Sequence, residues 1–181
     1  MKLHEETISS TAIYDGAVIK VHVDDVLLEN GSNAKREVVD HLGGVCVAVL
    51  DSENRLFFVR QFRYPYSQVL LELPAGKLEK GEDPFEAMKR EQLEETGTTG
   101  TGYIYLGDIY PSPGYCGEVL YVWACRADSR GDMNLDADEF LEVETIPLEK
   151  AVEMVLSGEI SDAKTQIGIL KTAKAVENGL V

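Results

Sequence analysis

The chain of 181 residues carries 32 acidic and 17 basic side chains, a formal charge of −15, with 44% apolar and 27% charged residues. That balance suits one ordinary soluble domain, with or without an appendage, and argues against nucleic acid or an anionic membrane as the partner, since both ask for a basic surface. Three cysteines without a Cys-x-x-Cys pair, and no apolar run near the roughly 20 residues of a membrane span, exclude a disulfide framework, a zinc knuckle and a spanning helix; a reduced cytoplasmic protein is expected.

The first forty residues read as short strands, Ile8 to Ala12, Val18 to Val23, Val26 to Glu29 and, after an Asn30-Gly31 hairpin signal, Glu37 to Asp40. Such a piece buries little alone, so it should pack on another element or on another chain. From Gly44 the pattern changes. Val45 to Leu50 is a continuous apolar run suited to a strand covered on both faces; Leu56 to Val59 follows after a polar turn, and Val119 to Cys125 is of the same kind. The acidic stretch Asp128 to Glu144 reads as a loop long enough to be functional. Helices are expected over Leu148 to Leu156 and Asp162 to Val176, separated by Gly158 and closed by Asn178-Gly179. Strands interleaved with helices predict an α/β or α+β domain with helices on both faces of a mixed sheet. His4, His22 and His41 lack metal-binding spacing.

The most informative segment runs from Gly76 to Gly97. Asp83 suits an N-cap, Pro84 the first helical position and Glu86 a capping box, while Gly97 is the natural stop. On that helix Glu91, Glu94 and Glu95 fall within an arc of roughly 100°, because their offsets are three and four. Like charges at that spacing repel, and Arg90 relieves only part of it. Hard divalent cations fit the donors, since Mg²⁺ takes oxygen ligands and is commonly shared between carboxylates and substrate phosphates; a solvated charged helix is the alternative.

The spacing of Gly76, Glu82, Arg90-Glu91, Glu94-Glu95 and Gly97 resembles the Nudix box, the loop-helix-loop motif of hydrolases acting on a nucleoside diphosphate linked to another moiety. Two positions depart from it, because the family usually has an aliphatic residue where Gln92 and Thr98 stand. Gln92 shares an arc with Phe85 and Met88, the face expected to pack on the sheet, so either the helix sits less tightly or Gln92 finds a buried hydrogen-bond partner. Arg60 to Pro65, Leu71 to Lys77, Ser112 to Tyr115 with Glu118, and Gly158 to Thr165 are similar to the ADP-ribose pyrophosphatase branch. Pro113 stands at that branch's marker position beyond Gly97. The likeness covers nearly the whole chain and is thin before Lys35.

The resemblance implies a Nudix-type α/β/α sandwich over residues 43–181 and a small antiparallel N-terminal sheet over residues 1–42 that serves dimerisation. It implies Mg²⁺, with Mn²⁺ as the substitute, held by Glu91 and Glu95, by the carbonyl of Ala75 and by Glu94 directly or through water. Arg90 would orient the glutamates. Arg63 would hold the diphosphate, for which a guanidinium fork is well shaped, with Arg36, Glu118 and Pro113 as further substrate contacts. The general base would be a Glu on the loop from Asp136 to Glu142, Glu139 first and Glu142 second. The implied reaction is Mg²⁺-dependent hydrolysis of ADP-ribose to AMP and ribose 5-phosphate by a cytoplasmic homodimer, with Tyr14 or a neighbour stacking on adenine. A GDP-mannose or other nucleotide-sugar pyrophosphatase, and a sensor that binds ADP-ribose without cleaving it, remain open.

Overall fold

The computed structural model describes residues 3–135 and 140–181. Its chain divides into two units, one formed by the chain up to Gly43 together with Tyr110–Val119, the other by Gly44–Ile109 and Leu120–Val181.

In the first unit, β1 (Glu6–Asp15), β2 (Ile19–Leu27) and β3 (Asn33–His41) form an antiparallel sheet in that order. The two stretches expected at Val18 to Val23 and Val26 to Glu29 are one continuous strand, because Asp24 and Asp25 keep their ladder positions opposite Arg36 and Lys35. Gly31, at φ +81°, turns the β2–β3 hairpin. The Tyr110–Val119 segment is tied to β3: the Val39 N–H donates to the Tyr115 carbonyl at 2.8 Å and the Gly117 N–H to the Val39 carbonyl at 2.9 Å.

The second unit is built on β4 (Gly44–Leu50), every residue of which is buried. It contains β5 (Arg55–Arg63), a 3-10 turn at Tyr64–Tyr66, β6 (Gln68–Glu72), β7 (Ala75–Lys77), α1 (Pro84–Thr96), β8 (Thr98–Ile109), β9 (Leu120–Arg130), β10 (Leu141–Pro147), α2 (Leu148–Ser157) and α3 (Ala163–Glu177). The sheet order is β10-β5-β4-β9-β8, with β4 and β9 parallel and the other pairs antiparallel. Side chains alternate across β4. Val45, Val47 and Val49 join Phe57, Trp123 and Cys125 in a core with Ala87 and Met88 of α1. Cys46, Ala48 and Leu50 join Leu56, Phe58 and Val122 in a second core with α2 and α3. A strand covered on both faces must be apolar at every position, which explains its unbroken run. The expected sandwich with its mixed sheet is the observed one.

The acidic stretch is less of a loop than expected. β9 continues through Arg130, and β10 begins at Leu141 opposite Gln61, so both ends of Asp128 to Glu144 belong to strands. β8 was not anticipated; its glycines and threonines mask the alternation that marks a half-buried strand.

One irregularity positions the site. β5 meets β4 only at Leu56 and pairs with β6 from Val59 onward. In the opening between the two strands runs Leu73-Pro74 and then β7, which pairs with the start of β4. The Val47 N–H closes the gap by donating to the Pro74 carbonyl at 2.9 Å.

Candidate active site

α1 starts as its sequence requires. The Asp83 side chain accepts from the N–H groups of Phe85 at 3.0 Å and Glu86 at 3.2 Å, and Pro84 opens the first turn. The expected capping box does not close, because the Glu86 carboxylate turns to Lys89 at 2.7 Å. At the other end Gly97 adopts φ +65°, and a Cβ there would strike the Gly131 carbonyl, so glycine is needed for both reasons.

The stripe of α1 that faces the sheet carries two carboxylates. Glu91 is 8% exposed and Glu95 2%. One oxygen of Glu95 accepts the Ala75 N–H of β7 at 2.9 Å, which fixes the helix to the loop from Glu72 to Lys77. Glu91 lies against bare backbone: a Cβ on Gly76 would come closer than 3.0 Å to its carboxylate atoms. Arg90 gathers the remaining acids. Its Nε and Nη2 donate to Glu82 at 3.0 and 3.1 Å, and its Nη1 to Glu91 and Glu94 at 2.9 Å each. Bonding to Glu82, with Glu91 and Glu94 beside it, raises the arginine's already high pKa, and Arg90 in turn lowers that of Glu82. One guanidinium thus partly offsets the repulsion among three carboxylates.

Gln92 resolves the first departure from the expected pattern through the second. It is fully buried, donates to Thr98 Oγ1 at 3.2 Å and accepts from the Tyr103 hydroxyl at 2.9 Å. Thr98 in turn lies 2.7 Å from Thr96 Oγ1. The two polar residues satisfy each other, and the helix packs without a gap in its hydrogen bonding.

Beside this helix Arg63, expected at the diphosphate, joins Glu72 and Lys164, two partners that the sequence did not point to. Arg63 donates from Nε and Nη2 to Glu72 at 2.6 and 2.8 Å, and Lys164 of α3 bonds the same carboxylate. Lys164 also stands 3.1 Å from Asp162, the N-cap of α3. Burial pushes the Glu72 carboxyl up, but the bonds and charges of Arg63 and Lys164 outweigh it and hold the group below the usual carboxylate range. A single Glu between apolar neighbours in Leu71-Glu72-Leu73 was the available signal, since a buried carboxylate requires partners. Cys46, among these groups, has its thiol pushed up to about 12 by burial and acts as neutral packing.

Of the other expected residues, Arg36, Glu118 and Pro113 belong to the first unit. There Arg36 spends its fork on Glu5 at 2.8 and 2.5 Å, Glu118 sits 3.6 Å from His41 Nδ1, and Pro113 is exposed in the turn closed by the Cys116 N–H on the Ser112 carbonyl. Glu139 lies outside the described residues. Glu142, expected on a loop, is an exposed residue of β10 opposite Arg60. The segment leading toward Glu139 is anchored at the end of α1, where the Asn134 N–H donates to the Glu94 carbonyl at 3.1 Å and the Gly131 N–H to the Gly97 carbonyl at 2.7 Å.

The donor set suits a hard divalent cation. Glu91 and Glu95 are buried and Glu94 is partly exposed on the same helix, all carrying oxygen donors, and Glu91 lies against the loop where Gly76 has no side chain. Among the described residues no group of three or more His, Cys, Asp or Glu side chains is arranged so that it could hold a metal ion.

A NUDIX domain family model matches residues 21–165. The chain is 42% identical to an ADP-ribose pyrophosphatase of Bacillus subtilis (strain 168), covering 92% of this chain and 91% of the relative. It is 39% identical to a methanol dehydrogenase activator of Bacillus methanolicus, covering 93% and 92%. Its fold is shared with a crystal structure described as an ADP compounds hydrolase, at a TM-score of 0.83 and 17% identity, covering 98% of this chain and 97% of that one.

Proposed function

This chain belongs to the NUDIX domain family, and on that footing we propose that it is a Mg²⁺-dependent hydrolase of ADP-ribose, with Mn²⁺ able to substitute. Water adds to one phosphorus of the diphosphate and the bridging P–O bond breaks, giving AMP and ribose 5-phosphate. The observation that carries this reading is the pair Glu91 and Glu95, both buried and set against the backbone of Ala75-Gly76. Carboxylates on one helix face beside backbone oxygens are the donors that Mg²⁺ takes, and the 42% identity to the ADP-ribose pyrophosphatase of Bacillus subtilis over 92% of this chain supports the same reading.

Glu91, Glu95 and the Ala75 carbonyl would hold the ion, with Glu94 assisting. When bound, such an ion neutralises diphosphate charge, lowers the pKa of the attacking water and steadies the leaving oxygen. Arg90 orients Glu91 and Glu94 through its 2.9 Å bonds. Arg63 presents the edge not used by Glu72 to the diphosphate, as a planar fork can. A glutamate after β9 takes the proton of the attacking water. Glu139 is the first choice, and the anchoring of Asn134 on the Glu94 carbonyl supports it by bringing that segment to the end of the metal-binding helix. Glu142, held in β10, is the second. Arg36, Glu118 and Pro113 would contribute substrate contacts.

The cytoplasm is the proposed compartment, which the free cysteines suit; the charge of −15 speaks against nucleic acid as a partner. A homodimer through the N-terminal sheet is proposed as well, because β1 is exposed along its whole length and carries Ile8, Ile13 and Tyr14 on its surface. A monomeric mass by light scattering at micromolar concentration would remove that part.

The test of the activity is a panel of ADP-ribose, GDP-mannose and NADH with and without Mg²⁺, assayed for nucleoside monophosphate release. Mg²⁺-dependent AMP release from ADP-ribose is expected to dominate, and Glu95→Gln to reduce it at least about a hundredfold with the fold intact. Tight ADP-ribose binding without turnover would favour a sensor, preferred GDP-mannose cleavage would move the substrate within the class, and a fully active Glu95→Gln variant would refute the metal assignment.

A further inference from the structure

We propose that Lys164, held by Asp162, is a positioning residue that acts through Glu72 to set the Arg63 guanidinium for the substrate diphosphate. The inference rests on the reading of Arg63 as the diphosphate's partner.

Glu72 is 1% exposed and ends β6, at the opening where β5 and β4 part. A buried carboxylate needs a cation, and one would neutralise it. Glu72 has two, from opposite sides of the sequence: Arg63 of β5 and Lys164 of α3. Of the three charged groups only Arg63 reaches outward, its side chain 36% exposed against 12% for Lys164. Glu72 occupies the Nε–Nη2 edge of Arg63. Because the guanidinium is planar, fixing that edge fixes the direction of Nη1. Whatever locks the carboxylate therefore aims the arginine.

Lys164 supplies the lock, and it is itself held. Asp162, 3.1 Å from the ammonium, is pinned as the N-cap of α3 by accepting the Thr165 N–H at 2.9 Å. The same helical turn grips the neighbouring backbone a second time, since the Leu73 N–H donates to Thr165 Oγ1 at 2.9 Å. Thr165 is fully buried, so this bond does not compete with water. The first turn of α3 thus clamps Glu72 by its charge and Leu73 by its backbone, only two residues before Ala75. Two acids and two bases leave the cluster neutral, with Arg63 its exposed member. Without Lys164 the carboxylate would have Arg63 alone and would either draw the guanidinium inward or take up a proton, and each outcome loosens the aim of Nη1.

A double-mutant cycle on the full chain tests this, with kcat and KM for ADP-ribose measured for Lys164→Met, Arg63→Ala and the pair. Lys164→Met is expected to lower kcat/KM about tenfold when Arg63 is present and less than about twofold in the Arg63→Ala background, as coupled neighbours do. Lys164→Arg should restore activity to within about threefold of the parent, which a packing role alone would not give. Equal losses in both backgrounds, or no loss from Lys164→Met, would overturn the inference while leaving the reading of Arg63 in place. An Arg63→Ala variant as active as the parent would overturn the reading of Arg63 itself and the inference with it. Should Lys164→Met fail to fold, Asp162→Asn, which keeps an N-cap acceptor, carries the same cycle; it should lose activity in the same direction, and an unchanged kcat/KM refutes the lock.

Discussion

The substitution Gly76→Ala separates the chemistry of the site from the stability of the fold. An added Cβ would lie under 3.0 Å from the Glu91 carboxylate atoms, an approach that real Cβ atoms essentially never make, so the carboxylate must move. The carboxylate is buried and bonded to Arg90, so moving it sacrifices a charge-assisted hydrogen bond as well as a favoured rotamer, about 1.5–3 kcal/mol. Replacing glycine returns about 0.4–1 kcal/mol by restricting the unfolded chain. The melting temperature should therefore fall by only a few degrees. Activity should fall sharply, because one of the two buried carboxylates leaves the site; a loss of about 3 kcal/mol of transition-state stabilisation is roughly a hundredfold in kcat/KM. The assay is AMP release from ADP-ribose across a Mg²⁺ titration, beside thermal unfolding by circular dichroism. Gly81→Ala is the control. Gly81 has φ +81° and nothing within 4 Å of a Cβ, so alanine there costs about 1 kcal/mol of backbone strain and leaves the carboxylates alone. It should lower the melting temperature and keep the activity. A Gly76→Ala protein with the parent's turnover and Mg²⁺ dependence would refute the placement of Glu91 in the site.

Gln92→Leu alone should destabilise the fold by about 1–3 kcal/mol in a urea titration, because it takes the acceptor from the Tyr103 hydroxyl and a donor from Thr98, which keeps Thr96. Adding Tyr103→Phe should recover most of that loss, since removing both partners at once is nearly neutral; a double variant no more stable than Gln92→Leu would contradict the pairing. The lowered pKa of Glu72 sets an acid limb of stability. Its folded value lies below the ordinary 4.5, so its contribution is complete above about that pH and is lost as pH falls through the folded value. Lys164→Met removes one of the two cations that lower it, and the acid-unfolding midpoint should move to higher pH; a midpoint that stays or falls would refute the electrostatic account.

The parts of this molecule that were legible from sequence are those where one local rule acts alone. The unbroken run of β4 implies cover on both faces, and Asp83, Pro84 and Gly97 bound α1 because caps are local devices. The carboxylates of α1 follow from helical spacing, which depends on no distant residue. What was hidden depends on pairs far apart in the chain. Glu72 and Lys164 are separated by 92 positions, and neither announces the other. β10 was absorbed into an acidic loop because Glu142 and Glu144 conceal the strand that pairs with β5. β8 has bulges at three places along β9, so its faces never alternate cleanly. The partner of Gln92 was named only as a requirement; that it is the other exceptional residue, Thr98, needed the fold.

The site lies where the sheet fails to close, and both helical layers converge on it there. Since β5 leaves β4 after Leu56, the backbone from Glu72 to Lys77 has no full ladder on the β5 side, and its position must be set by other bonds. From one face, Glu95 of α1 takes the Ala75 N–H. From the other, Thr165 of α3 takes the Leu73 N–H and Lys164 takes the Glu72 carboxylate. The carbonyl proposed to meet the ion, that of Ala75, and the carboxylate that holds the arginine proposed to meet the phosphate, that of Glu72, are thus placed by different layers, with only Leu73 and Pro74 between them. A catalytic constellation tolerates errors of only about 0.5 Å, and a loop held by a single layer would move with that layer's packing. Anchoring each end of this loop to a different helix removes that freedom, which is why buried charged and hydroxyl groups stand where an apolar core would be more stable.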